Sequence, residues 1–242
     1  MKYLPAFIFL LTLLSCKKTE IITPDITTGL VASFSLDGNG YEEVSGINGV
    51  MHNVNPAISR HGKANKSMLF NRNDSSFIDF GDLEALSFPN NQFTISCWIN
   101  VSDSVAPICM LSKRSVYGPW EYSLDNHFNH AVFNLDNWIP DGSTTVYGTD
   151  PLKASAILKL NLWSHVAYVA DGIILKVYLN GILQSGEDAL HAGLFLQDTN
   201  AHFVIGNGGG YGKNYYFNGS IDDVSIYNRP LDAATIQYLA LQ

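Results

Sequence analysis

Carboxylate side chains are the first residues to consider, because pairs of them cleave glycosidic bonds. The two members must face one site, and alternate residues of a strand lie on the same side. The sequence has two adjacent pairs of identical acids, Glu42-Glu43 and Asp222-Asp223, and its other glutamates are isolated from one another. Because adjacent strand residues point to opposite faces, we expect only one member of each pair to face any given site. We therefore predict that the protein is not an enzyme.

Aromatic side chains in loops rich in glycine and asparagine are a second group with a chemical use. Sugar rings stack on exposed aromatic faces, while amides and carboxylates bind the sugar hydroxyls. Buried packing is the alternative for each of these side chains. The candidate ligand-binding residues are Tyr117, Trp120, Trp138, Tyr211, Tyr215 and Tyr216.

The cysteines fall into two groups. Cys16 closes an N-terminal segment with Lys2 and an apolar run of 11 residues, which is typical of a secretory signal and too short to span a bilayer. Cys97 and Cys109 lie in segments with strand patterns. In an oxidising compartment they could form a disulfide, and the alternative is two buried free thiols.

The segment Leu13-Leu14-Ser15-Cys16 resembles the lipobox of bacterial lipoproteins. This resemblance implies that Cys16 carries the lipid, and a plain secretory signal is the alternative. We therefore assign residues 1–15 to a signal peptide and residues 16–28 to a lipidated tether. The predicted location is the cell envelope, lipid-anchored at the outer membrane, on its periplasmic or surface face.

Composition narrows the class of the remaining residues. The 242-residue chain carries a formal net charge of −8, which argues against nucleic-acid binding because few basic side chains are present to neutralise phosphates. Its apolar fraction of 46% is too high for a disordered protein. No composition break divides residues 29–242, so we predict one domain there.

Strand patterns are the elements that must position these residues. In residues 93–100, Phe93, Ile95 and Ile99 share one face with Cys97, while Trp98 falls on the other face, which must also be covered. The dipeptide Asn180-Gly181 predicts a hairpin turn. A helix capped by Asp232 is predicted near the C-terminus. The other predicted strands are residues 30–36, 163–169, 174–179, 203–206 and 219–227.

Four segments carry a resemblance to a known family. They are GLVASFSLDGNG, FTISCWINV, LWSHVAYVADGIILKVYLNG and YFNGSIDDVSIYNRPLDAATIQYL, in this order along residues 29–241. The chain is similar to LamG-like jelly-roll domains of the concanavalin A-like lectin and glucanase group. The resemblance implies an all-β fold, a concanavalin A-like jelly-roll sandwich of two antiparallel sheets with a short C-terminal helix.

The resemblance also implies a function and a metal. LamG-like domains often hold a structural calcium ion where the first and last strands meet, and Asp37 and Asp222 match the positions of its acids. Asn39 could add an amide oxygen, since calcium prefers hard oxygen ligands. The alternative is that Asp37 shapes a turn and that Asp222 is a solvated or capping acid. The expected partner is a glycan, with a surface protein as the alternative and a divergent glycan-cleaving enzyme as the third reading.

Overall fold

The structure is a computed structural model and describes residues 23–103, 108–114, 120–127, 130–137, 146–147, 155–184, 188–189, 200–208 and 215–242. The predicted signal peptide and Cys16 lie outside these residues, as do Tyr117, Trp138 and Tyr211. Among the described residues, none of the helices is long and apolar enough to cross a membrane.

Two antiparallel sheets make up the described fold, as predicted. The strands of the first sheet are β1 (Leu30–Phe34), β3 (Asn55–Pro56), β4 (Met68–Phe70), β6 (Gln92–Val101), β12 (Trp163–Asp171), β13 (Ile174–Leu179), β14 (Ile182–Leu183), β15 (Asp188–Ala189) and β17 (Gly219–Tyr227). Its order is β14-β13-β12-β6-β17-β4-β3, with β1 paired to β17 and β15 to β13.

The second sheet faces the first across the core. Its strands are β2 (Val50–His52), β5 (Phe77–Asp79), β7 (Ile108–Arg114), β8 (Trp120–His127), β9 (His130–Asn137), β10 (Val146–Tyr147), β11 (Ser155–Ile157) and β16 (Phe203–Ile205). They follow the order β10-β9-β8-β7-β16-β5-β2, with β11 paired to β9. Two short 3₁₀ helices, Arg72–Asp74 and Glu84–Leu86, join strands.

Apolar residues at alternate positions of the strands fill the space between the sheets. Phe93, Ile95, Cys97 and Ile99 of β6 are fully buried there, as their spacing predicts. Trp98 lies on the opposite face and is half-buried. The prediction that this outer face is also covered is therefore confirmed in part.

The C-terminal helix supplies much of that cover. α1 (Ala233–Leu239) begins after Asp232, whose Oδ1 accepts a hydrogen bond from the Thr235 amide at 2.7 Å. Leu231 and Ile236 pack against Ala167 and other apolar side chains on the outer face of the first sheet. The predicted cap and helix are confirmed.

The hairpin at Asn180-Gly181 is also as predicted. Both residues have positive φ, 50° and 78°, which is the requirement that favours this dipeptide in a tight turn. The Asn180 side chain adds a second role, because its Oδ1 accepts a hydrogen bond from the His165 amide at 2.9 Å. The turn is thereby fastened to β12.

The residues just before β1 are fastened to the last strand. Arg229 donates from Nε to the Thr28 carbonyl at 2.7 Å and from Nη2 to the Asp25 carbonyl at 3.1 Å. The Tyr227 hydroxyl donates to the Ile26 carbonyl at 3.1 Å. The C-terminal part of the predicted tether is therefore packed on the domain.

The two cysteines of the domain are not joined. Cys97 and Cys109 are both free and buried. Cys97 belongs to β6 of the first sheet and faces the core, whereas Cys109 lies in β7 of the second sheet, opposite Asp125. The disulfide alternative is therefore wrong, because the thiols belong to different sheets and face different environments. Burial raises the pKa of Cys97 to about 12.

Replacing Gly219 with alanine is expected to destabilise the fold severely. Its φ is +148°, and an added Cβ would lie 2.1 Å from the Asn100 carbonyl oxygen on the neighbouring strand. Because that obstacle is backbone, relief requires a shift of a central strand, and we expect a loss of about 3 kcal/mol or more. Urea unfolding of Gly219→Ala against wild type measures it.

Gly62→Ala is the matched control. Gly62 also has a positive φ, +73°, but nothing lies within 4 Å of the added Cβ. The substitution should cost only the backbone strain, about 1 kcal/mol. Equal losses in the two variants would show that the close approach to Asn100 is not what requires glycine at position 219.

Candidate functional site

Polar side chains cover the outer face of the second sheet where β7 and β8 pair. Leu124 of β8 points into the core, so its neighbours Ser123 and Asp125 point outward. They lie opposite Ser112 and Cys109 of β7. The Ser123 hydroxyl donates to Asp125 Oδ2 at 3.2 Å. These hydroxyl and carboxylate groups form a polar patch on the outer face of the second sheet.

A loop crosses this patch and buries it. The Ser112 hydroxyl donates to the Asn207 carbonyl at 2.8 Å. At Gly208 an added Cβ would lie 2.8 Å from Cβ of Cys109, so only glycine permits so close an approach. Burial, followed by the charge of Asp125, holds the pKa of Cys109 well above its usual range. Its thiol is consequently not a nucleophile at neutral pH.

Tyr215 and Tyr216, two of the predicted ligand-binding residues, stand at the edge of the patch. Both are half-buried. The Arg114 guanidinium carbon lies 5.8 Å from the centroid of the Tyr215 ring. Tyr216 forms backbone bridges with Cys109 and Asn207. The structure therefore brings these two tyrosines together with the polar patch.

The patch itself was not predicted. Its two charged members, Arg114 and Asp125, are only 7% and 5% exposed. The signal that could have revealed it is the alternation within β8, in which Ser123 and Asp125 interrupt the apolar residues Tyr122 and Leu124. Of the other predicted aromatics, the backbone of Trp120 starts β8, and its side chain lies outside the described part.

A buried ion pair joins β7 and β8. Lys113 Nζ is 2.8 Å from Glu121 Oε1 and 2.9 Å from Asp82 Oδ1, and the Lys113 and Glu121 side chains are fully buried. The register of β7 and β8 shifts here, so that Glu121 has no residue directly opposite it. Two acids on one buried lysine satisfy the rule that buried charges are paired.

The acids predicted for calcium meet at a different place, on the outer face of the first sheet near the loop between β3 and β4. Asp37 and Asp222 line one cavity of about 260 Å³. Asn39 instead shapes the turn, where its Oδ1 accepts from the Tyr41 amide at 2.9 Å. The cavity is lined by Asp37, Ser59, Arg60, His61, Lys63, Lys66, Asp222 and Asp223.

The expectation that adjacent acids face different sites is wrong for both pairs. Asp222 and Asp223 contact the same guanidinium, because a bulge in β17 places Asp223 at a φ of 44° and interrupts the strand alternation. Glu42 and Glu43 both accept hydrogen bonds from Ser33, since they lie in a loop rather than in a strand.

Basic side chains already hold the carboxylates of this cavity. Arg60 Nη1 lies 2.9 Å from Asp222 Oδ2 and 2.6 Å from Asp223 Oδ2, and Lys66 Nζ lies 2.5 Å from Asp37 Oδ2. Among the described residues, none of the clusters of His, Cys, Asp and Glu has an arrangement suited to a metal. Calcium binding stays a prediction, and in this arrangement the ion would have to displace Arg60.

Arg60 also closes a second cavity, of about 200 Å³, on the outer face of the first sheet. Its guanidinium carbon lies 4.8 Å from the Trp98 ring centroid. His165 packs edge-on against Trp98 at 5.4 Å, and its Nε2 is 2.8 Å from the Ser96 hydroxyl. Burial and the charge of Arg60 lower the pKa of His165 to about 4. The ring is therefore neutral at physiological pH.

Comparison with known families gives one match over most of the chain. The family model described as the concanavalin A-like lectin/glucanases superfamily, Laminin_G_3, matches residues 72–237. Among curated protein sequences, none matches the chain.

Solved structures share the fold at low identity. Domain 4 of AbnA, a GH43 extracellular arabinanase from Geobacillus stearothermophilus in complex with arabinotriose, has a TM-score of 0.65 and 20% identity; 87% of this chain and 98% of that chain are covered. The binding domain of botulinum neurotoxin DC in complex with rat synaptotagmin II has a TM-score of 0.60 and 15% identity, covering 88% of this chain and 51% of that one.

An enzyme is also similar in structure. A mutant of Trypanosoma rangeli sialidase that displays trans-sialidase activity has a TM-score of 0.60 and 20% identity, with 89% of this chain and 33% of that chain covered. At such identities these three likenesses concern the fold alone. This chain spans about half of the neurotoxin binding domain and one third of the sialidase.

We expect His165→Asn to lose less stability than wild type does when the pH falls from 7 to 4. Because the native pKa is near 4 and the ordinary value is 6.5, the stabilisation from neutral His165 is full above pH 6.5 and is lost as the pH falls toward 4. The difference corresponds to about 3 kcal/mol. Urea unfolding at a series of pH values between 7 and 4 measures the slope for wild type and variant.

Asp222 makes the stability depend on pH in the opposite direction, and this contribution is the same in wild type and in His165→Asn. Burial, then Asp223, raises its pKa to about 7, so its contribution is full below pH 3.8 and is lost as the pH rises to 7. Both proteins retain it. His61→Asn, at an exposed position, should leave the slope unchanged. If His165→Asn kept the wild-type slope as well, the ring would not be held neutral by its surroundings.

Proposed function

The chain belongs to the concanavalin A-like lectin/glucanase superfamily, and we propose that it is a non-catalytic recognition module that binds carbohydrate. The observation that carries the proposal is the pair of half-buried rings, Tyr215 and Tyr216, at the edge of the buried polar patch of the second sheet. Sugar sites combine an aromatic ring with a few fixed hydroxyl, carboxylate and guanidinium groups. Tyr215 and Tyr216 supply the rings, and the backbone of Tyr216 is bridged to Cys109 of the patch.

The rigidity of the patch supports this assignment. Ser112 is bonded to the crossing loop, and the Ser123 hydroxyl is bonded to Asp125. These bonds also steady the backbone beside Tyr215 and Tyr216, so the two rings would lose little conformational freedom when a ligand binds, which favours affinity. The arabinotriose complex of the AbnA domain is a sugar complex on the same fold.

A protein-binding or adhesive module is the second candidate. The neurotoxin binding domain, about half of which this chain matches, is in complex with a protein, synaptotagmin. Catalysis is third, because Glu121 is paired with Lys113 while Asp125 is bonded to Ser123 on the outer face. Neither carboxylate is arranged as the second member of a glycosidase pair with the other.

We further propose that the domain is lipid-anchored at the cell envelope through Cys16. The support is the lipobox-like segment Leu13-Leu14-Ser15-Cys16 after an apolar run. Several acyl chains on one cysteine give stable attachment to a membrane. The ligand would then be a glycan or a protein that reaches the envelope.

Glycan binding is tested on arrays and then by calorimetry with the best ligand. Tyr215→Ala should weaken binding roughly tenfold, because it removes an aromatic surface beside Arg114. Trp120→Ala and Trp138→Ala test the other predicted loop aromatics. Tyr238→Ala is the matched control, a half-buried tyrosine on α1 at the opposite face of the sandwich.

The outcomes separate the candidates. Binding that falls in Tyr215→Ala and persists in Tyr238→Ala supports sugar recognition at the patch. Silence on every glycan, together with capture of a protein partner that Tyr215→Ala releases, supports adhesion instead. New reducing ends after incubation with polysaccharides would show catalysis and contradict the proposal.

The lipid anchor is tested by metabolic labelling with a palmitate analogue. Wild type should carry the label, whereas Cys16→Ser should not, because the acyl chains have lost their attachment atom. Cys109→Ser is the control, a buried thiol that should not affect labelling. An unlabelled wild type, or undiminished label on Cys16→Ser, is incompatible with the anchor.

A further inference from the structure

Three carboxylates converge at the bulge of β17. Asp222 and Asp223 come from the bulge itself, and Asp37 follows β1 along the chain. All three line the same cavity. Such a cluster repels itself, and without compensation it would oppose folding.

Burial makes compensation necessary. Asp222 is only 2% exposed. Moving a carboxylate out of water is strongly unfavourable unless an opposite charge and hydrogen bonds accompany it. The neighbouring charge of Asp223 adds to that cost. The cluster therefore requires a cation at the point where Asp222 and Asp223 meet.

Arg60 occupies that point. A single nitrogen, Nη1, lies within 3 Å of one oxygen of each carboxylate, at 2.9 Å from Asp222 and 2.6 Å from Asp223. The Arg60 side chain is only 9% exposed, and its guanidinium stacks on Trp98. One cationic centre bridging two carboxylates, one of them buried, is the arrangement that calcium uses in proteins.

The loop that carries Arg60 is built to hold it there. The hairpin between β3 and β4 is closed by backbone bonds from Ala57 to Ser67 and from Ser59 to Lys63. The same loop carries Lys66, which neutralises Asp37. Each end of the acid cluster thus receives its countercharge from one loop, and the Trp98 ring fixes the guanidinium plane from the other side.

We propose that Arg60 is the resident cation of this cluster and fills the role of a divalent metal ion. The domain then folds to full stability without a metal. Removing the guanidinium leaves Asp222 and Asp223 without their bridging charge, and a divalent cation of suitable size takes its place. The inference does not depend on carbohydrate binding, and it concerns the outer face of the first sheet rather than the patch on the second sheet.

Thermal unfolding in EDTA and in about 5 mM calcium chloride tests the proposal through mass action. Wild type should unfold at the same temperature in both. Arg60→Ala should unfold at a lower temperature in EDTA, and calcium should restore about 5 °C or more of the loss. Arg60→Lys, which keeps a positive charge, should be less destabilised and should respond less to calcium.

Arg72→Ala is the matched control. Arg72 Nη2 lies 2.6 Å from Asp103 Oδ1, and the side chain is 13% exposed, so this pair resembles that of Arg60 but lacks a second carboxylate. Its loss should lower the unfolding temperature without creating a response to calcium. A calcium response in this variant equal to that of Arg60→Ala would overturn the assignment to the three-acid cluster.

Terbium luminescence is a second test, and it reports on the site itself. Trp98 lies beside Arg60, so excitation of the indole should sensitise terbium bound in its place. We expect emission in Arg60→Ala and its loss in Arg60→Ala/Asp223→Asn, with none in wild type. Should Arg60→Ala fail to fold in EDTA, refolding in calcium decides: recovery supports the proposal and continued failure overturns it. Stabilisation of wild type by calcium also overturns it.

Discussion

The pairing of β17 along both of its edges is the constraint on which the rest of the structure depends. β6 pairs along one edge, while β1 and β4 share the other. A strand enclosed in this way has few backbone groups left for water, and its register must satisfy three partners at once. The first and last segments of the domain are thereby joined, and the sandwich closes around one apolar core.

The bulge in β17 reconciles this pairing with a polar site. Upstream of the bulge, β17 pairs with β4 and β6, and downstream of it with β1 and β6. The extra residue turns Asp223 toward the same guanidinium as Asp222. A regular strand would have sent one of the two carboxylates into the core. Charge placement and strand register are consequently settled by the same local distortion.

Period-two alternation was sufficient to predict the sheet architecture. It placed Phe93, Ile95 and Ile99 in the core and Trp98 on a covered outer face, and turn chemistry located the Asn180-Gly181 hairpin. These features depend on local spacing, which the sequence displays directly. The resemblance brought Asp37 and Asp222 to one place, and they do line a common cavity.

Contacts between distant segments could not be predicted from the sequence. Arg60 is 162 residues from Asp222, and nothing in its own neighbourhood distinguishes it from a solvated arginine. The bulge was missed for a related reason: aspartate tolerates a positive φ, but an aspartate within an alternating strand gives no sign that the strand bulges there. The buried Asp125 was missed because a polar residue within an alternating strand normally indicates an exposed face.

The bonds from Arg229 and Tyr227 to residues 25–28 limit how far the domain could move from a membrane anchor at Cys16, because they hold these residues on the domain. With Cys16 lipidated as proposed, about eight residues would separate the anchor from Pro24, a distance of at most ~28 Å when fully extended. A domain tethered in this way would stay within a thin layer above the bilayer. Its partners would be molecules that lie in the membrane or project into the same layer. For such partners, local concentration would matter more than intrinsic affinity.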